Sequence, residues 1–167
     1  MSVLIKDVQL DGRTTSIYVE GNRIAAIGEK ARTEADIVID GKAKAAVPGF
    51  VNTHTHAAMA LLRSYADDLP LQTWLEKAIW PREAKIEPED IYWGTKLACL
   101  EMIKGGTTCF NDMYFHMDQA ARAVKEMGLR AVLSEGFIDM RDPDLGQQLL
   151  KKQQSVLRKY YQQFRIA

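Results

Sequence analysis

The stretch from Val47 to His56, V-P-G-F-V-N-T-H-T-H, restricts what this chain can fold into more than any other. Val47, Phe50, Val51, Thr53 and Thr55 are β-branched or aromatic and surround or follow a Pro-Gly turn, so the segment reads as a strand. It ends in two histidines spaced i and i+2. Side chains alternate between faces along a strand, so His54 and His56 bring both imidazoles to the same face. Imidazole is a favoured ligand of zinc and other divalent first-row metals, and two of them at a strand end make half of a metal site. The remaining ligands must come from elsewhere. Taken alone, His-x-His favours a plainer reading, two polar residues closing a buried strand with nothing bound. The surrounding sequence has to decide.

Upstream, residues 1–46 read as four short strands, Val3 to Leu10, Ser16 to Glu20, Ile24 to Ile27 and Ile37 to Asp40. Asp11-Gly12, Gly21-Asn22, Gly28 and Asp40-Gly41 supply turn residues that tolerate positive φ, and the expectation is a small antiparallel β unit. Downstream, Ala57 to Pro70 reads as a loop with a helical turn. Leu71, Trp74, Leu75, Ala78 and Ile79 have the spacing of an amphipathic helix that Pro81 stops. A second helix opens on Glu87-Pro88-Glu89-Asp90 and ends at Lys104-Gly105-Gly106. Gly106 to Met113 is a strand, Asp118 caps a helix that Gly128 closes, Arg130 to Glu135 is a strand, and a long helix runs from Leu145 to Tyr161. Phe164 to Ala167 looks like the start of another strand. Such alternation points to a parallel sheet.

Lys plus Arg and Asp plus Glu both number 22, giving a formal net charge of zero, and no basic block marks a nucleic-acid footprint. The apolar runs are too short to span a membrane, and the N-terminus lacks a signal-peptide layout. Cys99 and Cys109 lie in apolar surroundings that suit reduced thiols. The expectation is a cytoplasmic protein with neither nucleic acid nor membrane as partner.

P-G-F-V-N-T-H-T-H runs on into A-A-M-A-L-L-R-S-Y-A-D-D-L-P-L-Q-T-W-L, and together these resemble the first barrel strand and loop of the amidohydrolase superfamily. Within it, the chain is most similar to the 5'-methylthioadenosine/S-adenosylhomocysteine deaminases and their chlorohydrolase relatives. The resemblance implies an α/β fold, with a β-sandwich part over residues 1–46 and the start of a (β/α)8 metal-dependent hydrolase barrel over 47–167. A full barrel takes about 250 residues, so the chain is expected to be an N-terminal fragment holding about three strands.

The resemblance also implies a catalytic divalent metal, usually zinc, held in part by His54 and His56; iron, manganese and nickel remain open for an imidazole pair. It implies that Glu83 binds the ribose hydroxyls of a nucleoside, against the alternative of a solvated glutamate at a helix end. Trp80 is expected to pack in the helix core. Asp112 is a candidate outer partner of the metal-bound histidines, and His116 lies at the rim, where an ordinary loop histidine is the plainer reading. Glu135 stands where an arginine is expected to receive the carboxylate of S-adenosylhomocysteine. Its negative charge is expected to repel such a tail, with Arg63, Arg130 and Arg141 as substitutes. The remaining ligands and the proton-transfer groups are expected beyond Ala167.

The implied reaction is hydrolytic deamination of an adenosine derivative by the intact enzyme. The alternatives are a chlorohydrolase or aminohydrolase acting on a triazine or guanine, and an inert remnant or half-enzyme completed by a second chain. A homo-oligomer is also open.

Overall fold

A computed structural model describes residues 1–136 and 143–161. The chain divides into two compact units, Met1–Pro48 and Gly49–Ala167. The suspected strand at Phe164 to Ala167 lies outside the described residues, as does Arg141.

In the first unit, β1 (Ser2–Leu10), β2 (Arg13–Glu20), β3 (Arg23–Ile27) and β4 (Ile37–Asp40) form one sheet in the order β3-β2-β1-β4. The β1–β2 turn uses Asp11 and Gly12 at φ of 49° and 76°, the positive values a tight hairpin demands. Leu4, Val8, Ile17 and Tyr18 form its buried core. The expected all-antiparallel unit needs correction at β4, which runs parallel to β1 from Val3↔Ile37 to Lys6↔Asp40. A hairpin cannot make a parallel pair. The connection from Gly28 to Asp36 is long enough to carry the chain past β2 to the free side of β1.

The second unit is built on β5 (Phe50–Thr55), β6 (Thr107–Tyr114) and β7 (Arg130–Glu135), all parallel and in the order β5-β6-β7. Helical segments link them, as the sequence leads one to expect of the opening of a (β/α)8 barrel. After β5 come 3-10 turns over Ala57–Leu62, then α1 (Leu71–Thr73), a π-helical stretch Trp74–Ile79 and α2 (Trp80–Glu83). Pro81 therefore does not stop the helix. The Trp80 N–H bonds the Leu75 carbonyl five residues back, so the turn before Pro81 is widened and the ring escapes the i−4 clash that breaks a regular α-helix.

Glu87 and Asp90 form a capping box at the start of α3 (Pro88–Lys104), which ends at Gly105. α4 (Met117–Met127) ends on Gly128 at φ 75°, and α5 spans Pro143–Tyr161. Asp118 is not the cap of α4. His116 takes the N-cap position at φ 49°, and its side chain makes no capping bond.

β6 alternates cleanly: Phe110, Asp112 and Tyr114 are buried, whereas Asn111 and Met113 are exposed. The buried face packs under α3, α4 and the residues that follow His56. One cluster joins Ala57, Ala98, Cys99, Phe110 and Val124; another joins Ala58, Ile91, Tyr114, Met117 and Ala120. α3 comes so close that a Cβ on Gly94 would lie 2.5 Å from the Ala58 carbonyl oxygen. The chain just past the histidines is thus wedged between helix and sheet.

Candidate functional site

His54 is the fifth residue of β5 and His56 follows the last. Their ring centroids are 5.1 Å apart in an edge-on arrangement, so the two imidazoles stand side by side as the i, i+2 spacing predicts. The His54 N–H bonds the Asn52 side-chain oxygen at 3.2 Å. His56 Nδ1 is 2.6 Å from the Met113 carbonyl oxygen, and a carbonyl only accepts, so Nδ1 carries the proton. In the neutral ring Nε2 then keeps the lone pair with which histidine ligates a metal.

Asp112 is 1% exposed, directly beneath this pair in the register of the sheet, opposite Thr55. Its Oδ1 accepts the Ala57 N–H at 3.1 Å, and its Oδ2 is buried without a hydrogen-bond partner among the described residues. Burial pushes this carboxyl up to about 6, against the opposing pull of the Ala57 N–H and the nearby imidazoles of His56 and His54. Among the described residues no set of three or more His, Cys, Asp or Glu side chains converges to hold a metal ion. The donor chemistry fits a divalent cation, with the two imidazoles as part of its ligand set.

Glu83 closes α2 and is half-buried. Its Oε1 accepts the Tyr114 hydroxyl at 2.7 Å. The Tyr114 ring lies 5.9 Å from that of His56, so a single side chain separates Glu83 from the imidazole pair. Burial, then the bond to Glu83 and its charge, raises the Tyr114 phenol far above its ordinary range and keeps it a donor. Tyr114 was missed in the sequence; the alternation from Phe110 through Asp112, which places Tyr114 on the same buried face, is the signal that finds it.

Other candidates have different roles. Trp80 is 38% exposed and does not pack in the helix core. His116 contributes its backbone: its N–H and that of Met117 donate to Glu135 Oε1 and Oε2 at 3.2 and 3.1 Å. Glu135 is 3% exposed. It serves as the cap of α4, reaching the helix from the end of the neighbouring strand, so the expectation that it confronts a substrate carboxylate loses its basis. Arg63 is tied to Glu101 by two bonds of 2.9 and 2.6 Å, and Arg130 is exposed. Cys99 is buried, and that burial pushes its thiol up to about 11, which makes it a packing residue.

A model of the amidohydrolase family matches residues 45–165. A 5-methylthioadenosine/S-adenosylhomocysteine deaminase of Archaeoglobus fulgidus is 56% identical over 143 residues, which are 86% of this chain and 34% of that protein. A 5'-deoxyadenosine deaminase of Methanocaldococcus jannaschii is 52% identical over 151 residues, 89% of this chain and 36% of that protein. The chain thus spans about a third of the length of these relatives. Among solved structures, an adenosine deaminase from Xanthomonas campestris with bound zinc superposes with a TM-score of 0.72 at 39% identity, covering 82% of this chain and 34% of that one. The atrazine chlorohydrolase of Arthrobacter aurescens, at 20% identity and a TM-score of 0.76 over 95% of this chain and 43% of that one, shares the fold. The chain belongs to the amidohydrolase family.

Proposed function

We propose that these residues form the N-terminal part of a metal-dependent deaminase that replaces the amino group of an adenosine-type nucleoside with oxygen, releasing ammonia. The observation that carries this reading is the chain of contacts from His56 through Tyr114 to Glu83. It sets an imidazole pair suited to a metal beside a carboxylate suited to a sugar.

His54 and His56 would hold the cation, zinc being the metal in the solved Xanthomonas relative. What the cation supplies when bound is Lewis acidity, which activates water at neutral pH. The Met113 carbonyl keeps the His56 proton on Nδ1, and Asp112 holds the turn after His56 by its Ala57 bond. Glu83 accepts from the vicinal ribose hydroxyls and so orients the base; a carboxylate has about four lone-pair sites, of which Tyr114 uses one. The remaining ligands and the proton-transfer groups come from polypeptide beyond these residues, in the same chain or a second one. Two free cysteines, Cys99 and Cys109, suit a reducing cytoplasm. No helix among the described residues is long and apolar enough to cross a membrane.

The test is kcat/KM of the complete gene product on 5'-deoxyadenosine, 5'-methylthioadenosine, S-adenosylhomocysteine, guanine and a chlorotriazine. Adenosine derivatives should lead the panel. Turnover confined to guanine or the triazine would overturn the nucleoside assignment while leaving the metal pair standing.

A further inference from the structure

The Tyr114 hydroxyl donates to the Glu83 carboxylate, and it comes from a rigid place. Tyr114 is 4% exposed and packs with Ala58, Ile91, Met117 and Ala120. Its carbonyl accepts the Gly136 N–H at 2.6 Å, which fixes the end of β6 against the residue following β7. Glu83, by contrast, is half-buried at the end of the helical run over residues 71–83, which follows a loop with Ser64, Ala66 and Asp68 all at positive φ. The strand end is therefore the anchor, and the carboxylate is the part that is held.

We propose that Tyr114 is the positioning residue for sugar recognition: by its hydroxyl it fixes the Glu83 carboxylate at a set distance from His56, and so makes deamination selective for nucleosides bearing a 2',3'-diol. This rests on the assignment of Glu83 to the ribose. A glutamate side chain has three rotatable bonds, and a carboxylate already oriented spends no ordering entropy when the diol arrives. One acceptor site of Oε1 is occupied by the phenol, and the others stay open to the two hydroxyls. Because the same ring lies against His56, the placement of the sugar is tied to the placement of the metal ligand. A tyrosine that only filled space would serve equally as phenylalanine.

The test uses the complete gene product with 5'-deoxyadenosine and its 2',5'-dideoxy counterpart. Tyr114→Phe should raise KM for the diol substrate about tenfold and leave its kcat within about twofold, the gain of a charge-assisted hydrogen bond being of that order. The preference for the diol substrate should shrink accordingly. In a Glu83→Ala background, Tyr114→Phe should add nothing, because the two residues act as one unit. Glu83→Asp, which keeps the charge but withdraws it from Tyr114, gives an independent variant with the core intact, and it should also raise KM for the diol substrate. Equal losses on both substrates, or a retained diol preference in Tyr114→Phe, would overturn the inference while Glu83 stands. If the wild type shows no diol preference, or Glu83→Ala leaves it unchanged, the ribose assignment of Glu83 falls and the inference with it.

Discussion

The Nδ1 of His56 and the main-chain carbonyl oxygen of Met113 are 2.6 Å apart, across the junction of two parallel strands. The bond makes the tautomer of a candidate metal ligand a property of sheet register. β5 and β6 pair from Phe50↔Thr107 to Thr55↔Asp112 with two shifts of register, and those shifts bring the carbonyl of an exposed β6 residue under the imidazole. Asp112, the preceding residue, supports the same turn from the buried face.

Asp112→Ala removes the acceptor of the Ala57 N–H. Metal affinity should fall as the turn after His56 loses its tether, and stability by about 1–3 kcal/mol for the orphaned donor. Asp112→Asn keeps an oxygen for that bond and should retain most of the stability. Chelator competition and thermal melts check both, and unchanged metal affinity in Asp112→Ala would separate this residue from the site.

Gly94 lets α3 lie against the backbone of Ala58, two residues beyond His56. A Cβ there would meet the Ala58 carbonyl oxygen at 2.5 Å and its Cα at 3.0 Å, and neither is the movable end of a side chain. Gly94→Ala is expected to cost about 1–3 kcal/mol and to weaken metal binding by displacing the segment after the histidines. Gly128→Ala, whose cost is backbone strain at φ 75° with open space around it, should destabilise without touching metal affinity. Metal titrations of the two variants would tell whether the wedge matters.

Glu126 gathers the Tyr92 hydroxyl at 2.5 Å, Lys96 Nζ at 3.0 Å and Arg122 Nε at 3.3 Å, joining α3 to α4. The Tyr92 bond first, then that from Lys96, holds its carboxyl down at about 2. A folded-state value below the unfolded one means stabilisation that is present above about pH 4.5 and lost as pH falls towards 2. The midpoint of thermal unfolding should therefore fall more steeply between pH 5 and 2 in the wild type than in Glu126→Gln. Parallel curves would mean that this surface network contributes nothing.

Glu135 caps α4 from the neighbouring strand, so Glu135→Ala should cost about 1–2 kcal/mol in unfolding. Its charge faces helix N–H groups, so Glu135→Gln should leave the ratio of kcat/KM for S-adenosylhomocysteine and 5'-methylthioadenosine within a few-fold. A tenfold gain for S-adenosylhomocysteine would show that the carboxylate meets the substrate.

What could be read in the sequence follows the range of the interactions concerned. The strand carrying His54 and His56 is legible because its β-branched and aromatic run and its i, i+2 spacing are local, and α3 because its acidic first turn and terminal glycine lie within its own length. The relations that build the site are not local. Tyr114 meets Glu83 from 31 residues away, and Glu135 reaches back 19 residues to the His116 N–H, where Asp118 had the better local cap signature. β4 pairs parallel to β1 because of where its connection leads, which its own composition does not encode. Pro81 misled for another reason: helix-stopping rules assume an α ladder, and a π turn precedes it.

The most direct test of the metal site is the metal content of the complete gene product, measured by plasma mass spectrometry after purification without chelators. About one divalent ion per chain is expected, most of it lost in His54→Ala and in His56→Ala while both variants remain folded by circular dichroism. Full occupancy in the His54→Ala, His56→Ala double variant would contradict it.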